Sequence, residues 1–396
     1  MSGIIFSLFS VMLKIFGAVL TLLTVSSLMA QNTIHLQIVS LPAYHPSGSN
    51  IYAAGSFNGW NPQDENYKFQ HDNKGNYFLD LKLDKGSYEY KITRGSWDKA
   101  ECKKGGAGIA NRTIKIESNQ TVELIIEEWA DRFPAAPKKS TASKNVTIID
   151  TAFLIPQLKR TRRIWIYLPE CYSSCTKRFP VLYMHDGQNV FDDATSYSGE
   201  WGIDEYLDSL GTNAKECIVV AIDNGGNKRL NEYCPYDFSL TGIGALSKSN
   251  KGEGNEYVDF LVKTLKPFID KNYRTAKDKA NTAIAGSSMG GLISLYAVLK
   301  YPKVFGAAGI FSPAFWVAPK IFDDIKTKGK KVSSKIYFYA GKLEGETMAP
   351  DMLRAYETMS KVSKSKMQAV IRDGGRHNEP TWRKEFPLFY EWINRE

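Results

Sequence analysis

Histidine and cysteine are both scarce in this chain, with five of each in 396 residues. Nowhere do Cys and His fall at the spacing of a metal site, so the sequence predicts no metal and no cofactor. The cysteines are Cys102, Cys171, Cys175, Cys217 and Cys234. An odd number leaves at least one thiol unpaired, although Cys171 and Cys175 flank a short loop and could pair. No internal repeat is present. Charge of one sign is nowhere concentrated: the net charge is +9, but Lys and Arg are scattered. The scatter argues against nucleic acid as a partner, while the sign suits an anionic substrate or surface.

A long apolar run is missing everywhere except at the start. Ile15 to Ala30 is apolar or small throughout and follows Lys14. It is too short to span a bilayer comfortably and reads as an export signal cleaved after Ala30. Translation from Met12 rather than Met1 would give a more regular signal; an uncleaved anchor over residues 4–30 is the rival. No cysteine directly follows the run, which argues against a lipid-anchored form. The expectation is a secreted or periplasmic protein with no stable membrane insertion after signal cleavage.

Four segments follow from the pattern: a signal at 1–30, a β module at 31–130, a linker at 131–145 and an α/β domain at 146–396. In the module Tyr77, Leu79, Leu81 and Leu83 alternate, and so do Tyr88, Tyr90 and Ile92. Short alternating strands without helical periodicity predict an antiparallel, immunoglobulin-like sandwich. The stretch from Asp131 to Asn145 holds Pro, Ala, Ser and Lys without hydrophobic period, as linkers do. Beyond it, Ile164 to Leu168, Phe179 to Met184, Cys217 to Ile222, Thr282 to Ala285, Gly306 to Phe311 and Ile336 to Ala340 read as strands with helices between them. Near-continuous apolar strands predict a mostly parallel sheet buried on both faces.

One stretch organises that domain. Ala283-Ile284-Ala285 runs into Gly286-Ser287-Ser288-Met289-Gly290, and Leu292, Leu295, Tyr296 and Leu299 then recur at helical spacing. Gly-x-Ser-x-Gly between a strand and a helix puts a serine on a sharp turn above the sheet. The alcohol of Ser288 needs a base, an orienting acid and an oxyanion hole. His377 is the one histidine after Ser288, in a glycine-rich loop. His185 is an alternative base, but it precedes Ser288 at a strand end and better suits loop support. The acid belongs a few residues past the strand Ile336–Ala340. Glu344 is the choice there, with Glu346, Asp351, Asp373, Asp323 and Asp324 as rivals. The backbone N–H groups of Met289 and Gln188 are the expected oxyanion donors, since Gly187 lets the loop after Met184 turn tightly. Candidate substrate contacts are Trp201, Arg229, Glu232, Tyr233 and Trp316; the competing reading makes the two Trp core residues and lets Glu232 and Tyr233 fix their loop.

His185–Asp192, the Gly-x-Ser-x-Gly at 286–290, Phe311-Ser312-Pro313 and the His377 loop together resemble the putative-esterase family of α/β-hydrolases. That family holds enterochelin, feruloyl and acetyl-xylan esterases and S-formylglutathione hydrolase. The resemblance covers roughly 150–396 and implies an α/β-hydrolase fold that cleaves carboxylic esters through an acyl-enzyme without metal. Glu344 departs from the Asp of many relatives, some siderophore-type members work with little help from the acid, and no long insertion follows the sixth strand. In the module, Ala54-Gly55-Ser56-Phe57-Asn58-Gly59-Trp60 and Gly86-Ser87-Tyr88-Glu89-Tyr90-Lys91 resemble starch- and glycogen-binding β-sandwiches, in which exposed Trp rings stack on sugars. Trp60 and Trp97 match those rings; the alternative is that both pack inside and the module acts as a spacer.

The functional expectation is a secreted serine carboxylesterase acting on feruloyl or acetyl esters of polysaccharide. The alternatives are a siderophore trilactone esterase, a carbohydrate-binding protein with an inactive hydrolase domain, and an acyltransferase with the same triad.

Overall fold

The computed structural model describes residues 31–72, 75–133, 138–211, 216–239 and 250–395. The expected export signal lies outside the described residues. Among the described residues, no helix is long and apolar enough to cross a membrane. The chain divides into two compact units that part between Phe133 and Pro134.

The first unit is built of small sheets. Gln70–His71, Tyr77–Leu83, Asn32–Ser40 and Gln120–Ile125 form one sheet in that order. Tyr52–Gly55, Gly86–Thr93 and Arg112–Ile116 form another. Alternation places Tyr77, Leu79, Leu81 and Leu83 inside, against Ile34, Leu36, Phe57, Ile92 and Trp129. The expected all-antiparallel pairing needs a correction: Asn32–Ser40 pairs with Gln120–Ile125 in parallel, Ile34 opposite Gln120 and Leu36 opposite Val122. Side-chain alternation decides which face is buried, not which way the neighbouring strand runs.

The second unit is organised on one eight-stranded sheet. Its order is Val146–Ile155, Arg160–Tyr167, Ile218–Ile222, Val181–His185, Thr282–Ser287, Ala307–Phe311, Lys335–Gly341, Lys366–Arg372. The first two strands join antiparallel and the other six run parallel to one another. The central strands Val181–His185, Ile218–Ile222 and Ala307–Phe311 are buried at every position, as sheet covered on both faces requires. Helix Met289–Lys300 is buried on all sides through Leu299, deeper than a one-faced amphipathic reading suggests. The helices Met348–Val362 and Glu379–Asn394 follow the last two strands, Lys335–Gly341 and Lys366–Arg372.

The segment from Lys138 to Asn145, expected as linker, is hydrogen-bonded to the second unit. Ser140 Oγ and Thr141 N–H donate to Asp192 (2.8 and 3.1 Å), and Thr141 Oγ1 donates to Glu200 (2.8 Å). Ser143 N–H donates to Asp204 (2.7 Å), and Asn145 Nδ2 to Asp208 (2.8 Å). A run without hydrophobic period still docks when its polar groups meet a row of carboxylates.

Candidate active site

The strand Thr282–Ser287 ends and helix Met289–Lys300 begins on either side of Ser288, which holds φ 59° and ψ −120°. A non-glycine residue there is strained, so its surroundings must hold it. They do: Ser288 N–H donates to Phe311 O (2.9 Å), and Ser288 O accepts from Leu292 N–H (3.1 Å) and Ala314 N–H (3.0 Å). Gly286 is required by space. A Cβ there would lie 2.9 Å from His185 Cδ2 and 3.0 Å from the Gly290 carbonyl carbon. The serine therefore stands at the carboxyl end of a central strand and at the positive end of a buried helix, where developing negative charge is stabilised.

Glu344 and His377 come from the loops after Lys335–Gly341 and Lys366–Arg372, the second and third strands over from Thr282–Ser287. Tyr339, on Lys335–Gly341, accepts from Ser312 N–H (2.7 Å), and Gly341 pairs with Arg372, on Lys366–Arg372. His377 Nδ1 lies 2.8 Å from Glu344 Oε2; the imidazole is 37% exposed and the carboxylate side chain fully buried. Glu344 Oε1 accepts from Gly341 N–H (2.7 Å) and Ser312 Oγ (2.8 Å). Trp382, on helix Glu379–Asn394, donates its indole N–H to Ser312 Oγ (2.9 Å) and sets its ring edge-on to His377, centroids 5.1 Å apart. The rival carboxylates lie elsewhere. Asp373 is an exposed partner of Lys342, Asp323 and Asp324 pair with Lys326 and Lys328, Glu346 is exposed, and Asp351 sits in the first turn of Met348–Val362. A buried carboxylate on Nδ1 leaves Nε2 of the imidazole to take a proton, which is what a serine alcohol needs from its base.

His185 is buried at 1% exposure with Nδ1 3.0 Å from the Tyr257 hydroxyl, and burial pulls its pKa down to about 4. It is a neutral strut beneath the turn. Beside it, Asp186 (φ 56°) clamps Arg229, with Nε to Oδ1 at 2.6 Å and Nη2 to Oδ2 at 2.9 Å. Gly187 leaves no room for a Cβ, which would lie 2.8 Å from Asp223 N. The Gln188 carbonyl accepts from Thr195 Oγ1 (2.7 Å) and its side chain from Asn224 N–H (3.2 Å), so this loop is tied on both sides.

Three of the expected substrate contacts, Trp201, Glu232 and Tyr233, are corrected. Trp201 is 2% exposed, stacked on Trp382 and edge-on to Phe311, a core residue and not a pocket wall. Glu232 has no exposure and neutralises Arg160 (2.8 Å) and Arg162 (2.5 Å). Tyr233 is likewise enclosed, its oxygen accepting from Asp186 N–H (3.2 Å). Arg229 gives Nε and Nη2 to Asp186 and has Nη1 left over, its side chain 25% exposed. Apolar and charged residues look alike in sequence whether they wall a pocket or fill the layer beneath it. Trp316, at 53% exposure, is open to solvent. Tyr197, 71% exposed on the loop whose N–H bonds Asn189 Oδ1, was not expected. Ser312 and Trp382 were missed as site residues too; for Ser312 the signals were its place directly after a central strand and in the Phe311-Ser312-Pro313 stretch that carries the family resemblance.

In the first unit, Trp60 and Trp97 are both part-exposed with ring centroids 6.2 Å apart. All five cysteines are free thiols, although Cys171 and Cys175 hold their sulfurs 2.9 Å apart.

Comparison with known proteins gives a consistent result. The family model described as Putative esterase matches residues 155–389, and that described as Pullulanase X25 domain matches 46–132. An uncharacterized protein YbbA of Bacillus subtilis is 26% identical over 246 residues, covering 59% of this chain and 92% of its own. An endo-1,4-beta-xylanase/feruloyl esterase of Xylanibacter ruminicola is 28% identical over 224 residues, 55% of this chain and 27% of that protein. An alpha-amylase of Niallia circulans is 41% identical over 96 residues, 24% of this chain and 7% of its own. The solved structure of the BES protein from Bacillus cereus superposes with a TM-score of 0.53 at 18% identity, covering 66% of this chain and 98% of its own, which shows an α/β-hydrolase-like fold.

Proposed function

The chain belongs to the putative-esterase family of ester hydrolases, and on that premise we propose that it is a secreted serine carboxylesterase acting on feruloyl or acetyl groups attached to polysaccharide. The observation that carries the serine mechanism is the 2.8 Å contact between His377 Nδ1 and the buried Glu344 carboxylate, which accepts from Ser312, the neighbour of the Phe311 carbonyl that holds the Ser288 N–H.

In this reading Ser288 Oγ attacks the ester carbonyl while His377 Nε2 takes its proton. The oxyanion is met by the Met289 N–H, at the head of a buried helix, and by the Gln188 N–H, in the turn after Val181–His185. The C–O bond to the alcohol breaks, and the alcohol leaves with the proton returned by His377. Water, deprotonated by the same imidazole, then attacks the acyl-serine; the acid leaves and Ser288 regains its proton. Glu344 stays ionised and holds the imidazolium. Trp316 supplies an apolar wall for the acyl group.

The relative whose printed name joins a xylanase to a feruloyl esterase supports the polysaccharide half of the reading. The run Ile15 to Ala30 supports export. The X25-like module, taken as residues 31–130, supplies a Trp60–Trp97 platform for a glucan chain.

The test is turnover of methyl ferulate, acetylated xylan and a catecholate trilactone by the wild type and by Ser288→Ala. Loss of about 10⁶-fold in kcat in the variant is expected. Unchanged turnover ends the serine mechanism, and preference for the trilactone ends the polysaccharide reading.

A further inference from the structure

Ser312 sits at φ 44°, a non-glycine residue in the left-handed region with no exposed surface. Its backbone is pinned by the N–H bond to Tyr339 O (2.7 Å). Such strain in a buried serine calls for a reason, and its side chain provides one.

The direction of each bond around it is forced by chemistry. An indole N–H can only donate, so Trp382 donates to Ser312 Oγ at 2.9 Å. A hydroxyl has one proton, and with a donor already on its oxygen the Ser312 proton turns to Glu344 Oε1, 2.8 Å away. Gly341 N–H donates to the same Oε1 at 2.7 Å. One carboxylate oxygen is thus occupied by two donors, and Oε2 alone is left for His377 Nδ1 at 2.8 Å. A carboxylate held this way accepts from the ring, so His377 carries its proton on Nδ1 and keeps the Nε2 lone pair for the substrate side. The Trp382 ring also abuts the imidazole edge-on, so one side chain touches both ends of the chain of bonds.

We propose that Ser312, oriented by Trp382, is a positioning residue that holds Glu344 as an acceptor in one rotamer and through it sets the tautomer and plane of His377. This rests on the serine-esterase reading above. It assigns a purpose to the Phe311-Ser312-Pro313 stretch beyond turning the chain.

The experiment is a double-mutant cycle on the full chain with an activated aryl ester. Ser312→Ala should lower kcat about tenfold with KM nearly unchanged. It should also move the downfield Nδ1 proton resonance of His377. In the Glu344→Ala background, itself at least about a hundredfold slower, the same Ser312→Ala change should have almost no further effect. Trp382→Phe keeps a ring beside His377 but removes the indole donor; it should give a smaller loss of kcat and shift the resonance as well. An equal Ser312→Ala loss with and without Glu344, or an unmoved resonance, overturns the proposal by making Ser312 merely structural. If Ser312→Ala does not fold, unchanged kcat and resonance in Trp382→Phe overturn it. Full activity in Glu344→Ala removes the triad itself and the proposal with it, whereas an impaired Glu344→Ala beside a wild-type Ser312→Ala removes the proposal alone.

Discussion

Glu344 reaches His377 across 33 residues of chain, Oε2 to Nδ1 at 2.8 Å, with the acid buried and the base at the surface. That asymmetry suits a pair in which one partner must stay ionised and the other must meet substrate. Replacing Glu344 by Gln keeps shape and volume but offers Nδ1 an amide that can donate. The ring then turns to the wrong tautomer, and kcat should fall by about 10³ to 10⁴. Steady-state kinetics with thermal unfolding as control checks this: the loss should come without a matching loss of stability.

Arg229 and Asp186 make a second prediction. The Asp186 side chain is 8% exposed and its guanidinium partner 25%. Removing the cation strands a buried carboxylate, which costs about 3–5 kcal/mol. Arg229→Ala should therefore lower the denaturant midpoint strongly. An intact fold with only a raised KM would instead mark Arg229 as a substrate anchor.

The two tryptophans once grouped together should separate. Trp201→Ala opens a core cavity between Trp382 and Phe311 and should cost about 3–5 kcal/mol. Trp316→Ala removes an exposed ring and should change stability by no more than about 0.5 kcal/mol. Its effect belongs in KM for aromatic acyl esters. Paired unfolding and kinetic measurements on both variants decide this.

A pH effect follows from Asp204, which accepts from Ser143 N–H and is fully buried. Burial raises its pKa above the ordinary 3.8, and the neighbouring Glu205 adds to the rise. A carboxyl whose folded pKa is raised stabilises the fold when protonated. That contribution is present at low pH and is lost as pH climbs from the ordinary value through the raised one. Asp204→Asn, which keeps an acceptor for Ser143, should lose less stability than wild type between acid and mildly alkaline pH. Melting curves across that range check it; parallel curves for the two proteins would exclude the effect.

Much of this site is legible in sequence because its determinants are local. Gly286 and Gly290 announce a crowded turn, and Glu344 and His377 follow strand ends whose apolar runs are plain. What escapes is whatever depends on distant chain. Trp201 and Tyr233 read as pocket aromatics, yet each is enclosed by residues far along the sequence, Trp382 for one and Tyr257 for the other. The parallel pairing of Asn32–Ser40 with Gln120–Ile125 is invisible because alternation has no direction. The strand Val146–Ile155 is missed because an edge strand exposed along most of its length loses the alternation that marks its neighbours.

The docked stretch at Ser140, Thr141, Ser143 and Asn145 sets where this enzyme half can be trimmed. A shortened chain starting at Val146, where the sheet begins, would strip the donors of this stretch, leaving Asp192 to Ala194 N–H, Glu200 to Arg383 and Asp208 to the Tyr167 hydroxyl, and taking the Ser143 N–H from buried Asp204. One starting upstream of Lys138 would keep them covered. The sensible cut therefore falls before the first strand of the sheet, inside a stretch that composition alone would discard as tether.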